Sequence, residues 1–258
     1  MKENTKIITE EKPDLEDPIF IEGLTGVGHV GRTAAGYLVD HINATKFGEI
    51  TSWHFPHWTI VNEDKELDML KNELYYWKSE EEGQRDLIIL IGNAQSLDPE
   101  GHYEIAEKVI DLIKDLGVEQ MITLGGYGTG EMVEDPSVFG VVNDKELKEE
   151  YEDFGVEFDH SIGQVIGASG LLPALGKDEG IEGLCLLGET PGFMLSDPKA
   201  TEEVLKVLDS IIKIDIDYSN LEDKIKEAEK VLKRIQKLKK NAQEGEPSKS
   251  SEELGYIG

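Results

Sequence analysis

The residues best suited to chemistry in this sequence form a glycine motif near its amino end. Gly26-Val-Gly28-His-Val-Gly31 matches the G-x-G-x-x-G pattern, which brings backbone N–H groups close to phosphates at the start of a helix. Glu49 lies eighteen residues beyond Gly31, about where a ribose-binding carboxylate would sit. The motif permits a dinucleotide-binding oxidoreductase. It equally permits a tight turn that packs a helix closely onto a sheet.

Other catalytic patterns are incomplete. The segment around Ser169 lacks the final glycine of a G-x-S-x-G nucleophile elbow. His54 and His57 stand beside tryptophans, which favours an exposed or interface loop over a zinc site. Cys185 is the sole cysteine, so neither an internal disulfide nor a cysteine zinc site is available. The sequence therefore predicts no catalytic residue, no metal and no cofactor.

A set of glycine-rich or small-residue turns still suggests a ligand crevice. These turns follow candidate strands, and the carboxyl ends of parallel strands share one edge of a sheet, where ligands commonly bind. The candidate crevice residues are Thr25, Gly26, Gly28, Asn93, Gln95, Ser96, Tyr127, Ser169 and Glu189. The alternative function is thus a nucleoside- or nucleotide-binding enzyme of phosphorylase- or hydrolase-like fold. The plainer interpretation is that short loops need glycine.

The elements that would position these turns alternate between strand and helix. The unbroken apolar run between Asp86 and Gly92 predicts a strand buried on both faces. A helix is predicted from Pro99 to Leu116, capped by Ser96 or Asp98. This alternation predicts an α/β domain at residues 18–216 with a mostly parallel or mixed sheet. The polar residues 1–17 read as a flexible leader.

The carboxyl-terminal part has a different pattern. Leu221, Ile225, Leu232 and Ile235 follow heptad-like spacing and predict an amphipathic helix at residues 217–241. That helix either joins copies of the chain into a homo-oligomer or docks on its own domain.

Residues 242–258 have a composition that does not pack a core, so we expect a disordered tail. Its tip is nevertheless apolar. Leu254, Tyr256, Ile257 and Gly258 are the predicted contacts of a terminal peptide that inserts into a partner's pocket.

Charge restricts the partners. The chain carries 54 acidic against 26 basic side chains, a formal net charge of −28. Such a surface repels nucleic acid and anionic membranes, so neither is an expected partner. The amino end has no apolar signal-peptide segment, and we expect a cytoplasmic protein.

Five segments together resemble a known family. They are Gly23-Leu-Thr-Gly-Val-Gly-His-Val-Gly31, Asn72-Glu-Leu-Tyr-Tyr76, Asn93-Ala-Gln-Ser96, Gly125-Gly-Tyr127 and Gly167-Ala-Ser-Gly-Leu-Leu-Pro173. Their order and spacing across about residues 15–215 resemble the archaeal proteasome-assembly-chaperone family. The resemblance implies a three-layer α/β domain similar to nucleoside phosphorylases and related hydrolases. It also implies a homo-oligomer with an ATP-independent role toward proteasome α subunits or the assembled α ring.

The tail departs from the terminal motif that the resemblance implies. Proteasome-binding partners often end in a hydrophobic residue, tyrosine and any residue, whereas Ile257 is penultimate here and Tyr256 stands one place earlier. The expected function is therefore a non-catalytic proteasome assembly chaperone or proteasome-core-binding protein.

Overall fold

The computed structural model describes residues 4–219 and residue 221. Strands and helices alternate along them. The strands are β1 (Thr5–Thr9), β2 (Ile19–Gly23), β3 (Thr45–Ser52), β4 (Thr59–Val61), β5 (Leu67–Met69), β6 (Asn72–Trp77), β7 (Leu87–Gly92), β8 (Gln120–Gly128), β9 (Val138–Val142) and β10 (Glu182–Thr190). The helices are α1 (Val30–His41), α2 (Pro99–Asp115), α3 (Lys148–Glu152), α4 (Ala168–Gly176) and α5 (Pro198–Ile212).

Eight strands form one mixed sheet in the order β1-β3-β6-β7-β2-β8-β10-β9. Strands β7, β2, β8 and β10 run parallel to one another. Strand β3 points the same way, because it is antiparallel to β6 and β6 is antiparallel to β7. All five strands therefore end at the same edge of the sheet, which we call the carboxyl edge.

Helices cover both faces of this sheet. Helices α1 and α5 pack together against one face, and α2 and α4 pack together against the other. The predicted three-layer α/β fold with a mixed sheet is confirmed. Its phosphorylase-like character remains an expectation of the resemblance.

Local sequence explains where α2 begins and which side it buries. The Asp98 side chain accepts a hydrogen bond from the Gly101 backbone N–H at 2.8 Å, and Pro99 supplies a preset φ at the first helical position. Of the two predicted caps, Asp98 is the one used. The buried residues of α2 recur at helical spacing and join the core beneath the sheet; they are Ile105, Ala106, Val109, Ile110 and Ile113.

The predicted flexible leader is wrong for residues 5–9. These residues form β1, an edge strand that pairs antiparallel with β3, with Thr5 opposite Ser52. Thr5 is fully buried and its hydroxyl hydrogen-bonds the Ser52 hydroxyl at 2.8 Å. The strand has few apolar residues, so its pairing with β3 leaves little signal in the local sequence.

A short hairpin extends from the carboxyl edge between β3 and β6. Its strands β4 and β5 pair only with each other, and all of their residues are exposed. An isolated two-stranded hairpin is marginally stable in water.

Several predicted residues fall outside the described part. Of the predicted oligomer helix, Leu221 is described and buried. Ile225, Leu232 and Ile235 lie outside the described residues, as do the tail contacts Leu254, Tyr256, Ile257 and Gly258. Among the described residues, no helix combines the length and apolarity needed to cross a bilayer.

Candidate functional site

The glycine motif after β2 has a structural role. Gly28 adopts a φ of 59° and His29 a φ of 47°, and α1 begins directly after this left-handed turn. A Cβ atom at Gly31 would overlap the carbonyl oxygen of Leu124 on β8. The third glycine is therefore required for the close approach of α1 to the sheet.

Glu49 is remote from that motif. It lies on β3, separated from β2 by β6 and β7 in the sheet. Its carboxylate accepts hydrogen bonds from Lys46 at 3.2 Å and Lys71 at 2.9 Å, and the Lys71 bond is the main cause of its lowered pKa. The dinucleotide-binding interpretation is wrong, because its carboxylate and its glycines do not meet.

Large apolar side chains gather at the carboxyl edge. Among the described residues, every exposed large apolar side chain except Ile8 follows β2, β3, β7, β8 or β10 or lies near the start of α2 or α4. They are Val27, Trp53, Trp58, Ile60, Val61, Leu67, Met69, Leu97, Tyr103, Met132, Ile166, Phe193 and Leu195. Exposed apolar surface of this extent indicates contact with another molecule.

A cleft of about 810 Å³ opens in the middle of this edge. Its walls are the loops after β2, β8 and β10 and the segment at residues 164–169. Much of its surface is glycine backbone, including Gly125, Gly126 and Gly128 on β8. Apart from His102, the residues that line it have no ionisable side chain that could carry a positive charge near neutral pH, so an anionic ligand finds no lysine or arginine there.

Four of the predicted crevice residues line this cleft, namely Gly26, Gln95, Tyr127 and Ser169. Gln95 acts as a bridge between two loops. Its Nε2 donates to the Thr25 carbonyl oxygen at 2.7 Å, and its Oε1 accepts from the Ala168 backbone N–H at 2.9 Å. Gln95 therefore positions the start of α4, and Thr25 contributes its carbonyl group to this bridge.

The other predicted crevice residues lie in separate interactions. The buried Gly28 faces Thr190 and Asp197. Asn93 Oδ1 accepts from Arg32 Nε at 2.7 Å, and the Ser96 hydroxyl donates to the Asp98 carbonyl at 2.8 Å. The Glu189 carboxylate accepts from the Ser137 backbone N–H at 3.3 Å. These contacts hold loops together.

A buried carboxyl group lies near the cleft wall. Glu22 on β2 is fully buried; its Oε1 accepts from the Leu24 backbone N–H at 3.1 Å, while its Oε2 has no hydrogen-bond partner. Burial raises the pKa of Glu22 to about 8, against the smaller opposing effects of Leu24 and the Ser169 hydroxyl. The carboxyl is therefore mostly protonated at neutral pH.

Ser169 connects Glu22 to the cleft. Its hydroxyl donates to the Leu124 carbonyl oxygen at 3.4 Å, and its own carbonyl accepts from the Thr123 hydroxyl at 2.6 Å.

Cys185, also buried, has a pKa raised to about 12 by burial, which makes it an inert thiol. Within the described residues, no group of three His, Cys, Asp or Glu side chains could hold a metal ion.

His54 and His57 were predicted to lie in an exposed or interface loop; His57 is exposed, whereas His54 is partly buried. The His54 Nδ1 atom lies 3.0 Å from Asp98 Oδ2, and Nε2 lies 3.4 Å from Glu104 Oε2. Hydrogen bonding to Asp98 is the main cause of the raised pKa of His54. The histidine thus fixes the chain after β3, from which the hairpin emerges, to the start of α2.

We expect the stabilisation from His54 to weaken as the pH rises. The folded state holds a proton that the unfolded chain releases near pH 6.5, so this stabilisation is complete below that pH and is lost as the pH passes the raised folded pKa. The substitution His54→Gln should cost about 1 kcal/mol at low pH and much less under alkaline conditions. Urea unfolding across this range measures the difference, with His57→Gln as the exposed control. A cost that is independent of pH would contradict the charged pairing.

Sequence reasoning missed the most exposed residues of this site. It selected polar residues in the glycine-rich turns, whereas the side chains that project there are apolar, such as Val27, Ile166 and Phe193. An available signal was the presence of large apolar residues within loops of so acidic a chain.

Comparison with known proteins defines the family to which this chain belongs. The PAC2 family model matches residues 20–236, and the chain belongs to the PAC2 family. The predicted family resemblance is confirmed.

Individual relatives are similar over nearly their whole length. A crystal structure of Pyrococcus furiosus PbaB, described as an archaeal proteasome activator, has 38% identity and a TM-score of 0.86, covering 90% of this chain and 99% of that one. Pyrococcus furiosus PbaA, described as an archaeal homolog of proteasome-assembly chaperone, has 28% identity and a TM-score of 0.74 over 94% and 95% of the two chains. An uncharacterised protein of Methanocaldococcus jannaschii is 34% identical over 258 residues, 98% of each chain.

Proposed function

We propose that this chain is a non-catalytic, ATP-independent proteasome-core-binding protein of the assembly-chaperone kind that acts as a homo-oligomer. The observation that carries the proposal is its likeness to PbaB, at 38% identity and a TM-score of 0.86 over 90% of the chain. The likeness to PbaA, at 28% identity, supports the same partner class.

The cleft supports a binding role over catalysis. Gln95, Asn93 and Glu189 are engaged in hydrogen bonds to other parts of the chain. Ser169 has a protonated neighbour in Glu22, which is unsuited to act as its general base while it keeps that proton. A cleft without a matched nucleophile and base fits a binding protein on an enzyme-like scaffold.

The proposed partners are proteasome core α subunits, or their assembled ring, and further copies of this chain. Leu254, Tyr256, Ile257 and Gly258 would form the terminal contact. The proposed oligomer helix includes Leu221, Ile225, Leu232 and Ile235. The charge of −28 argues against nucleic acid or an anionic membrane as partner.

Activation of the finished core is a second candidate function. PbaB, the more similar of the two Pyrococcus proteins, is described as a proteasome activator. Peptide hydrolysis by assembled core particles, with and without this chain, separates the two functions. A faster rate would indicate activation, and faster appearance of assembled rings from free subunits would indicate assembly.

We expect this chain to form a complex with proteasome α subunits from the same source. Native mass spectrometry of the full chain and of a version that ends at Ser251 would measure it. Loss of the complex on truncation would place the contact in the tail tip, whereas retention would move it to the body or to the basic residues 231–240. Both versions of the chain are to be tested with free α subunits and with assembled rings. If no complex forms in any of these mixtures, the proposed function is overturned.

A further inference from the structure

One wall of the cleft carries backbone N–H groups that donate no hydrogen bond within the described part of the chain. Residues 163–167 belong to no helix or strand, and residues 164–167 line the cleft. Among the hydrogen bonds of the described residues, none is donated by the backbone N–H groups of residues 163–167. Exposed backbone of this kind is available to pair with an extended chain.

The side chains beside this wall suit an apolar occupant. Ile166 is 82% exposed, Phe193 59% and Val27 43%, and all three line the cleft. On β8, the missing Cβ atoms of Gly126 and Gly128 leave room for Val27, which packs against both glycines and forms part of the cleft lining.

The loops around the cleft add an acidic rim. Glu131, Glu134 and Asp135 are exposed just after the lining residue Gly130, and Asp159 is exposed shortly before the wall. Lys199, 3.8 Å from Asp135, offsets only part of this negative charge. An uncharged cleft within an acidic rim is complementary to an apolar stretch with basic ends.

We propose that the cleft binds an extended apolar segment of another protein, flanked by basic residues, which pairs through its backbone with residues 163–167. Small anionic ligands are disfavoured because the cleft lining offers them no lysine or arginine. A second copy of this chain is disfavoured as the occupant in a symmetric contact, because the two acidic rims would then face each other. The proposal goes beyond the proposed function, since it does not require the partner to be a proteasome subunit.

Fluorescence anisotropy with a synthetic peptide tests the chemistry of the occupant. The probe is a labelled peptide of about ten residues, alternating valine and threonine with two lysines at each end. We expect backbone N-methylation of its central residues, and replacement of its lysines by glutamates, each to weaken binding at least about tenfold.

Matched substitutions test whether the peptide binds in the cleft. Gly26 has extended backbone, and a Cβ there meets no atom within 4 Å, so Gly26→Leu adds bulk to the cleft without a clash. Gly36 on α1 is equally open and lies outside the cleft, which makes Gly36→Leu its control. Ile166→Asp pairs with Ile8→Asp, a change at an exposed apolar residue of β1. We expect Gly26→Leu and Ile166→Asp to weaken binding at least about tenfold and both controls to bind like the parent.

Four results would overturn the proposal. The first is unchanged binding to Gly26→Leu and Ile166→Asp, and the second is equal binding of the N-methylated peptide. The third is an oligomer of the parent protein, seen in sedimentation, that Ile166→Asp converts to monomers while thermal unfolding shows the variant to be folded. A second copy of the chain would then occupy the cleft. The fourth is a rise in melting temperature with adenosine together with no binding of the peptide, which would indicate a small ligand.

Discussion

Replacing Gly31 with alanine is expected to destabilise the fold by about 3 kcal/mol, the upper range for overpacking. The added Cβ would overlap the carbonyl oxygen of Leu124, which belongs to the backbone of β8. A side chain could rotate away from such an overlap, but a central strand cannot. The backbone of Gly31 is also in close contact with β2, because a Cβ at Gly23 would overlap the carbonyl oxygen of Gly31.

Gly36→Ala is the matched control on the same helix. A Cβ at Gly36 meets no atom within 4 Å, so alanine there should stabilise the protein by about 0.5–1 kcal/mol through its higher helix propensity. Urea unfolding of both variants gives the comparison. Equal stability of the two would mean that α1 can shift away from β8, and the glycine motif would then need a role other than packing.

The glycine motif shows how far sequence alone leads. Its spacing predicted a strand, a turn and a helix, and β2, the turn at residues 27–29 and α1 follow in that order. The pattern alone could not distinguish phosphate binding from close packing, because both require the same absence of a Cβ. The distinction depends on Leu124, nearly a hundred residues away in the sequence.

Elements with strong local signals were predictable. The apolar run at residues 86–92 became the buried strand β7, and Asp98 capped α2. Strand β1 was not predictable, because its pairing with β3 joins residues 39 (Thr9 with Gly48) to 47 (Thr5 with Ser52) positions apart. Local composition is a weak guide where a distant partner supplies the stabilisation.

The candidate site was predictable in its location but less so in its residues. The glycine-rich turns do meet at the carboxyl edge, as parallel strands require. Polar residues in those turns, such as Asn93 and Gln95, form internal hydrogen bonds, which leaves apolar side chains such as Ile166 exposed. Hydrogen bonding between loops depends on the tertiary structure, so sequence patterns could not reveal which polar groups remain free.

A large dependence on pH is expected from Glu22. Burial raises its pKa from 4.5 to about 8 in the folded state, a change worth roughly 4–5 kcal/mol. Below about pH 4.5 both states hold the proton. Between pH 4.5 and 8 the unfolded chain releases the proton that the folded chain retains, so the stability falls with rising pH.

Glu22→Gln should remove this dependence. Glutamine keeps the oxygen that accepts the Leu24 N–H, but it cannot ionise. Under mildly acidic conditions the variant should match the parent, and above pH 8 it should be more stable by several kcal/mol. Urea unfolding at both pH values measures this effect, with Glu63→Gln in the exposed hairpin turn as control.

If Glu22→Gln leaves the pH dependence of the unfolding free energy unchanged, Glu22 is ionised and paired in the folded protein. The nearby Ser169 hydroxyl would then have to turn from the Leu124 carbonyl toward Glu22 to donate a hydrogen bond. That rearrangement would place a carboxylate and a serine in contact at the cleft wall, and an enzymatic role would regain support. The slope therefore distinguishes a neutral structural carboxyl from a working general base at the same position.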